Sequence, residues 1–339
     1  MDSQQAKAIF RGPMVSVATP FTEDFRLDLA ALRDNIRFMV ERGVRRGQGV
    51  LLVAAAGGEF PMLSMEERKE VTRVSVEAAR GEVPVATSIQ SNGTREVVEL
   101  ARYAHEVGAA LGQLSAPYYY EPTDGDIFGL FKAAAEESDL PIMIYNNWWN
   151  TLNMNADMVE RLAGLRNVVV LKWSAPGSAA YTEGLHRFAD RLAIIDNNAQ
   201  QVWAHMMGAT GLITHLSNFW PEYPLSIWNL LEEQAYREVI EKLAAFYWRW
   251  QKWVAKAVQE TEGEGPFIKA AMEEVGLPAG PPRPPAHRVG AALREELRQL
   301  FAAEYSLVGR STVLALSWLV GFRPREIGGQ RSRTMGLCP

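Results

Sequence analysis

A lysine that closes an apolar, β-branched run sits where covalent chemistry can begin. The run Val168 to Lys172 reads VVVLK, and it delivers its only charge at its last residue. Burial disfavours the ammonium form. An amine moved from ~10.4 toward roughly 7 to 8 carries enough free base to attack a carbonyl and form an imine. The same spacing also fits a lysine whose stem is buried while its head reaches solvent or pairs with a carboxylate. Tyr145 closes the preceding run, PIMIY, in the same way. Its phenol can relay protons beside the amine, or it can be a mouth tyrosine with a hydrogen-bonded hydroxyl.

Other polar residues close similar runs: Glu59, Ser88, Gln90, Tyr118, Tyr119, Asn146, Asp196, Asn197, Ser217 and Asn218. His215 falls inside the last run, where it is a candidate for acid–base work or for lining a site. His205 falls on a helix and reads as structural.

Eight apolar runs position these residues: Met14 to Ala18, Gly49 to Ala54, Val83 to Ile89, Leu111 to Ala116, Pro141 to Tyr145, Val168 to Trp173, Ala193 to Asp196 and Gly211 to Leu216. Amphipathic stretches separate them, the pattern of repeated βα units. Helix starts are marked by Ser64 with Glu67, a capping box, and by Asn92 or Thr94 ahead of Arg95 to Glu106. No G-x-G-x-x-G turn follows the first run, so a closed (β/α)8 TIM barrel is favoured over an open doubly wound sheet. In a barrel the site lies at the C-terminal ends of the strands, where the polar residues above fall.

The barrel is expected over residues 1–243, a helical region packed on the barrel or on a subunit interface over 244–305, and a tail without assigned structure over 306–339. Phe246, Tyr247, Trp248, Trp250 and Trp253 form an aromatic stripe that reads as packing. GLPAGPPRPP, residues 276–285, reads as a stiff extended connector, and Val289 to Tyr305 as a last helix.

Composition excludes several classes. With 339 residues, 47% hydrophobic and 22% charged, the chain can bury a large core. A net charge of −5 with interspersed signs leaves no footprint for nucleic acid. One cysteine, Cys338, permits neither an intramolecular disulfide nor a cysteine zinc site. No apolar run reaches the roughly 18 residues of a membrane span, and Met1 to Ala18 lacks the apolar centre of a secretory signal. A cytoplasmic location is the expectation.

The motifs also carry a resemblance. ATPF at 18–21, GGEFPMLSMEER at 57–68, NGTREVVELARYAHEVGA at 92–109, APYYYEP at 116–122, IYNN at 144–147, VVLKWS at 169–174, GATGLITHLSN at 208–218 and GLPAGPPRPP at 276–285 resemble the dihydrodipicolinate synthase and N-acetylneuraminate lyase group of class I aldolases. The resemblance covers roughly residues 12 to 285. It implies an imine between Lys172 and pyruvate or another 2-oxo acid, with Tyr145 as proton shuttle and without metal or organic cofactor. It aligns Tyr119 with a tyrosine that crosses a dimer interface in many relatives, and it implies a homo-oligomer, tetramer or dimer.

Two departures stand against it. Relatives that bind pyruvate carry a hydroxyl-bearing G-T-T-G-E or G-S-T-G-E loop after the second strand, whereas this chain reads Ala55-Ala56-Gly57-Gly58-Glu59. The backbone N–H groups of Gly57 and Gly58 remain available as an anion nest, with Ser217 or Asn218 as further carboxylate holders. After Tyr145, dihydrodipicolinate synthases place an arginine for the distal carboxylate of their aldehyde. This chain has YNNWWNT, with Asn150 in that place beside Trp148 and Trp149. The expectation is therefore an aldol or retro-aldol lyase of a 2-oxo acid other than the lysine-pathway synthase, its substrate lined by Gly57, Gly58, Asn146, Trp148, Trp149, Asn150, His215, Ser217 and Asn218. The same imine also serves a dehydratase or a hydratase-aldolase. A catalytically inert binding barrel is the rival from another class.

Overall fold

Each of the eight apolar runs forms a strand. In the computed structural model, which describes residues 1–307, they are β1 (Gly12–Ser16), β2 (Val50–Val53), β3 (Val85–Ser88), β4 (Leu111–Leu114), β5 (Ile142–Tyr145), β6 (Val168–Trp173), β7 (Ala193–Asp196) and β8 (Gly211–Thr214). All pairings are parallel, and β1 pairs with β8 to close the barrel. Strands buried on both faces must be apolar throughout, which is why these read as unbroken Val, Ile and Leu runs. The expected (β/α)8 barrel with C-terminal helices is the observed architecture.

Only Val168–Trp173 and Ala193–Asp196 keep both expected bounds, and two of the shifts bear on the site. β1 begins two residues before the expected Met14, because Pro13 is tolerated near a strand start and Gly12 already donates its N–H to the Thr210 carbonyl. β8 ends at Thr214, so His215 lies outside the strand and leads into a 3₁₀ turn, Leu216–Asn218. Among helix starts, the Ser64/Glu67 capping box is present. Helix Thr94–Glu106, by contrast, has no side-chain cap, because Asn92 Oδ1 accepts from the Tyr118 N–H at 2.7 Å instead.

The period of two along a strand sets the site. Met14, Ala86, Leu111, Met143 and Val170 share one buried cluster inside the barrel, with Ala6 and Phe10 at the end of helix Ser3–Ile9 closing the N-terminal end. Two residues further along the same strands stand Ser16, Ser88, Gln113, Tyr145 and Lys172, all buried. An apolar floor thus gives way in one step to a polar layer at the C-terminal ends.

Past β8, a helical run from Tyr236 to Thr261 continues across residue 243 through a π turn, Leu243–Tyr247. Phe246, Trp250 and Trp253 bury against Phe219, Trp228, Phe267 and Leu297, so these three residues of the aromatic stripe are packing, while Trp248 is half exposed. Helices Gly265–Glu274 and Ala291–Leu307 follow. Between them the proline-rich stretch is held by Asn35 on the Pro278 carbonyl, 2.8 Å, and by Lys269 on the Pro281 carbonyl, 2.9 Å. The expected tail lies outside the described residues from position 308 on. Among those described, no helix is long and apolar enough to cross a membrane.

Candidate active site

Register places the two leading candidates side by side: Tyr145 on β5 pairs with Lys172 on β6. The Lys172 ammonium nitrogen sits 3.9 Å from the centroid of the Tyr145 ring and donates to Gln113 Oε1 at 3.3 Å. Among the described residues no carboxylate lies within ion-pairing distance of it, so the solvent-reaching or ion-paired lysine is not what forms. Burial pushes its pKa down to about 8, against an opposing pull from the Glu264 charge.

Gln113 holds that amine through a chain of amides. Its Nε2 donates to Gln90 Oε1 at 2.8 Å, and Gln90 in turn donates to Ser115 Oγ at 2.6 Å and accepts from Ser88 Oγ at 3.1 Å. Tyr145 is buried, and burial together with the Glu264 charge raises its phenol above the ordinary range, while a hydrogen bond with Asn197 opposes the rise. It therefore stays protonated at neutral pH. Above it stands Trp149, its ring centroid 6.4 Å from that of Tyr145, with Trp148 edge-on to Trp149 at 5.8 Å.

The loop after β2 solves its missing hydroxyl locally. The Gly57 N–H donates to Ser16 Oγ at 3.0 Å, and a Cβ at residue 57 would stand 2.5 Å from that oxygen. Ser16 therefore fills the space a side chain at 57 would take. It also uses one of the two N–H groups expected to bind an anion. Ser16 Oγ lies 3.4 Å from Glu264 Oε2, and the same oxygen is 3.0 Å from His215 Nε2. His215 packs edge-on against Phe267, centroids 5.1 Å apart. Burial alone would raise the Glu264 carboxyl; His215, Lys172 and Ser16 outweigh it and hold it below its usual value.

Beside this group a cleft of about 300 Å³ opens between the ends of β7 and β8 and the long C-terminal helical run, lined by Asn197, Gln201, Thr214, His215, Tyr247 and Gln251. The π turn brings Tyr247 to it, a placement characteristic of such turns.

Several expected residues serve the scaffold. Asn146 donates to Asn153 Oδ1 and the Ser174 carbonyl and accepts from the Met154 N–H, so its amide ties β5 to β6 and to the following loop. Asn218 likewise joins β8 to β1 through Ser16, Ala18 and His215. Ser217 is buried with an unpartnered hydroxyl. Gly58 accepts from Thr19 through its carbonyl. Asn150 is exposed at the rim. Tyr119 is 86% exposed at φ +89°. Asp196 caps the next turn and accepts from Tyr181. Glu59 forms a buried ion pair with Lys269 at 2.6 Å. His205 meets Tyr236 and Glu232 on a helix face, in keeping with a structural part.

Three residues of the site escaped sequence reasoning. Ser16 was assigned to mid-strand, and Gln113 was passed over inside an apolar run. Glu264 lies beyond the barrel and carried no local signal except that it precedes Gly-Pro, a helix start, without any side-chain cap.

A buried lysine beside a tyrosine on adjacent parallel strands, in a closed eight-stranded barrel, accords with the comparisons. The pattern of the Dihydrodipicolinate synthetase family matches residues 9–304. The chain belongs to that family. It is accordingly an enzyme, a lyase of the class I aldolase type. It is 32% identical over 235 residues to 4-hydroxy-tetrahydrodipicolinate synthase of Clostridium perfringens, covering 69% of this chain and 78% of that protein. To the Methanothrix thermoacetophila enzyme of the same name it is 29% identical over 305 residues, 89% of this chain and 99% of the relative. The dihydrodipicolinate synthase structure from Aquifex aeolicus superposes with a TM-score of 0.78 at 27% identity, covering 88% of this chain and 99% of that one. A prophage protein of the family from E. coli K12, solved in complex with pyruvate, has the same fold, with a TM-score of 0.78 at 23% identity over 87% of this chain and 98% of its own.

Proposed function

We propose that the enzyme makes or breaks a carbon–carbon bond next to the keto group of pyruvate or a related 2-oxo acid, through an imine on Lys172. The observation that carries this reading is the Lys172 amine, buried, without a carboxylate partner and 3.9 Å from the Tyr145 ring. The neutral amine adds to C2, and the carbinolamine hydroxyl leaves as water with a solvent proton relayed through the Tyr145 phenol, which ends the step protonated. In retro-aldol cleavage the C4 hydroxyl loses its proton and the C3–C4 electron pair moves toward the iminium nitrogen. The resulting enamine takes a proton at C3, and hydrolysis then releases pyruvate and the free amine.

The acceptor differs from that of the named relatives. Asn150 offers no guanidinium to a distal carboxylate, and Trp148 and Trp149 offer apolar faces above Tyr145. The same pair supports a hydratase-aldolase for an apolar acceptor as the second reading. Borohydride reduction in the presence of pyruvate, followed by peptide mass mapping, should place the adduct on Lys172; an unlabelled Lys172 peptide would indicate an inert binding barrel. Pyruvate release against water loss over a panel of 2-oxo acids separates the two enzyme readings. A homo-oligomer also fits, since Tyr119 and Tyr120 are both more than four-fifths exposed and edge-stacked at 4.9 Å. Gel filtration at the monomer volume would remove that part.

A further inference from the structure

Glu264 is out of place for a residue that merely starts a helix. It occupies the N-cap of Gly265–Glu274, yet makes no side-chain cap bond. Such a cap is typically worth about 1 kcal/mol. Its carboxylate turns instead into the barrel mouth, where one oxygen meets both His215 Nε2 at 3.0 Å and Ser16 Oγ at 3.4 Å. The side chain keeps a third of its surface exposed.

The backbone beneath it is fixed by unusual means. A Cβ at Gly265 would stand 2.4 Å from Glu59 Cγ, so only glycine lets the helix start press against Glu59. Glu59 is in turn locked to Lys269 of the same helix by the buried 2.6 Å ion pair. An acidic side chain is thus set, by a clamp at its base and two partners at its tip, beside Ser16, in the buried polar layer that also holds Lys172 and Tyr145. Glu264's charge acts on both of them. Tyr145, kept protonated, is a poor base. Lys172 becomes the iminium and loses its own basicity. Ser16 and Gln113 are neutral. Among the described residues facing the mouth, Asp196 on β7 is taken up by Tyr181 and by the N–H groups of Asn198 and Gln200, which leaves Glu264 and His215 to take a proton, and His215 is turned to Glu264.

We propose that Glu264 is the base of the reaction: it accepts the proton of the substrate's C4 hydroxyl as the C3–C4 bond breaks and returns it to C3 of the enamine. The same proton leaves one atom and arrives at another, so the step needs no outside donor. In the reverse direction Glu264 takes a C3 proton from the pyruvate imine and gives it to the new hydroxyl. His215 and Ser16 are positioning residues that hold the reacting oxygen. This assignment rests on the lysine-imine reading given above.

The test uses pyruvate in D2O with the full chain, so that imine formation and proton transfer are read separately. Borohydride trapping reports the imine; proton NMR of the methyl group reports exchange at C3. Both the ammonium and the iminium of Lys172 carry one positive charge, so Glu264 stabilises them alike, and Glu264→Gln should leave the extent of trapping near pH 7 at the wild-type level. Methyl exchange should fall by about 100-fold or more, the scale of a lost general base. Glu264→Asp, which keeps the carboxylate but withdraws it by one methylene, should fall between. Exchange in both variants within roughly threefold of wild type, with trapping intact, overturns the assignment. Parallel loss of trapping and exchange in Glu264→Gln also overturns it, because a purely structural role lowers both. If the wild type itself forms no adduct on Lys172, the imine reading fails and takes this one with it.

Discussion

Replacing Lys172 by methionine should make the protein more stable at neutral pH while abolishing the imine. The amine is held at about 8 by burial, against 10.5 for an exposed lysine. A difference of that size is roughly 3 kcal/mol at ~1.36 kcal/mol per unit, and it raises the neutral fraction at pH 7 by roughly 300-fold. The folded-state value lies below the unfolded one, so the unfolded chain binds the extra proton between the two. The penalty is therefore complete below pH 8, shrinks as pH rises and is gone above 10.5. Methionine keeps most of the volume and carries no charge. It leaves Gln113 Oε1 without the amine, a loss of about 1 kcal/mol. Lys172→Met should then gain about 2 kcal/mol in urea unfolding at pH 7, measured at fixed protein concentration. The gain should close by pH 10.5, and the wild-type-minus-variant difference cancels other groups that titrate there, Lys269 among them. A variant no more stable than wild type at pH 7, or a gap indifferent to pH, would show that the amine is not desolvated and refute the basis of the mechanism.

Lys269 gives the opposite sign although burial lowers it equally, to about 8, because Glu59 is its partner. Lys269→Met strands a buried carboxylate and should lose about 3–5 kcal/mol in the same assay, with Glu59→Gln in the double variant restoring part of it. Gly57→Ala places a methyl 2.5 Å from Ser16 Oγ and 2.9 Å from Ile268 Cδ1. Thermal or urea unfolding should show a loss of about 1–3 kcal/mol, partly relieved by adding Ser16→Gly, since Ile268 still has to move. Trp149→Ala should leave borohydride trapping with pyruvate unchanged and raise KM for aromatic acceptors by about tenfold, on the scale of a lost aromatic contact; equal KM values would take Trp149 out of the acceptor site.

The barrel was legible because its strands are buried on both faces, and burial writes itself as apolar runs with the polar residue at the open end. That rule singled out Lys172 and Tyr145 but left a buried-stem lysine and a mouth tyrosine open beside the chemical reading; the register sets the two side by side. Gln113 was hidden by the same rule, since a polar residue between Gly112 and Leu114 looks like an interruption rather than a member of the inner layer. His215 was placed inside β8, which stops one residue earlier. Asn146 and Asn218 were taken for ligand contacts because they follow strand ends, but an amide there can satisfy neighbouring backbone groups, and these do. No spacing rule reaches Glu264, which arrives from the far side of the aromatic helices through tertiary packing.

The hydroxyl-free loop and the Glu264 carboxylate meet at one residue, Ser16. β1 is hydrogen-bonded to both β2 and β8, so the last inward residue of β1 borders the loop after β2 on one side and His215 on the other. A hydroxyl lost from position 57 can be supplied at nearly the same point from Ser16, provided residue 57 has no side chain, and Ser16 then lies within reach of Glu264. A serine on a strand is also better fixed than one on a loop, since its backbone is held by the ladder on both sides. The exchange has an electrostatic consequence. With a carboxylate at the mouth and an asparagine at 150, an acceptor bearing a distal carboxylate would meet repulsion and find no guanidinium. A neutral acceptor meets only the flat faces of Trp148 and Trp149 and the amides of Asn197, Gln201 and Gln251 in the adjoining cleft. Under the proposed role of Glu264, the geometry that supplies the base is the same geometry that disfavours a charged acceptor.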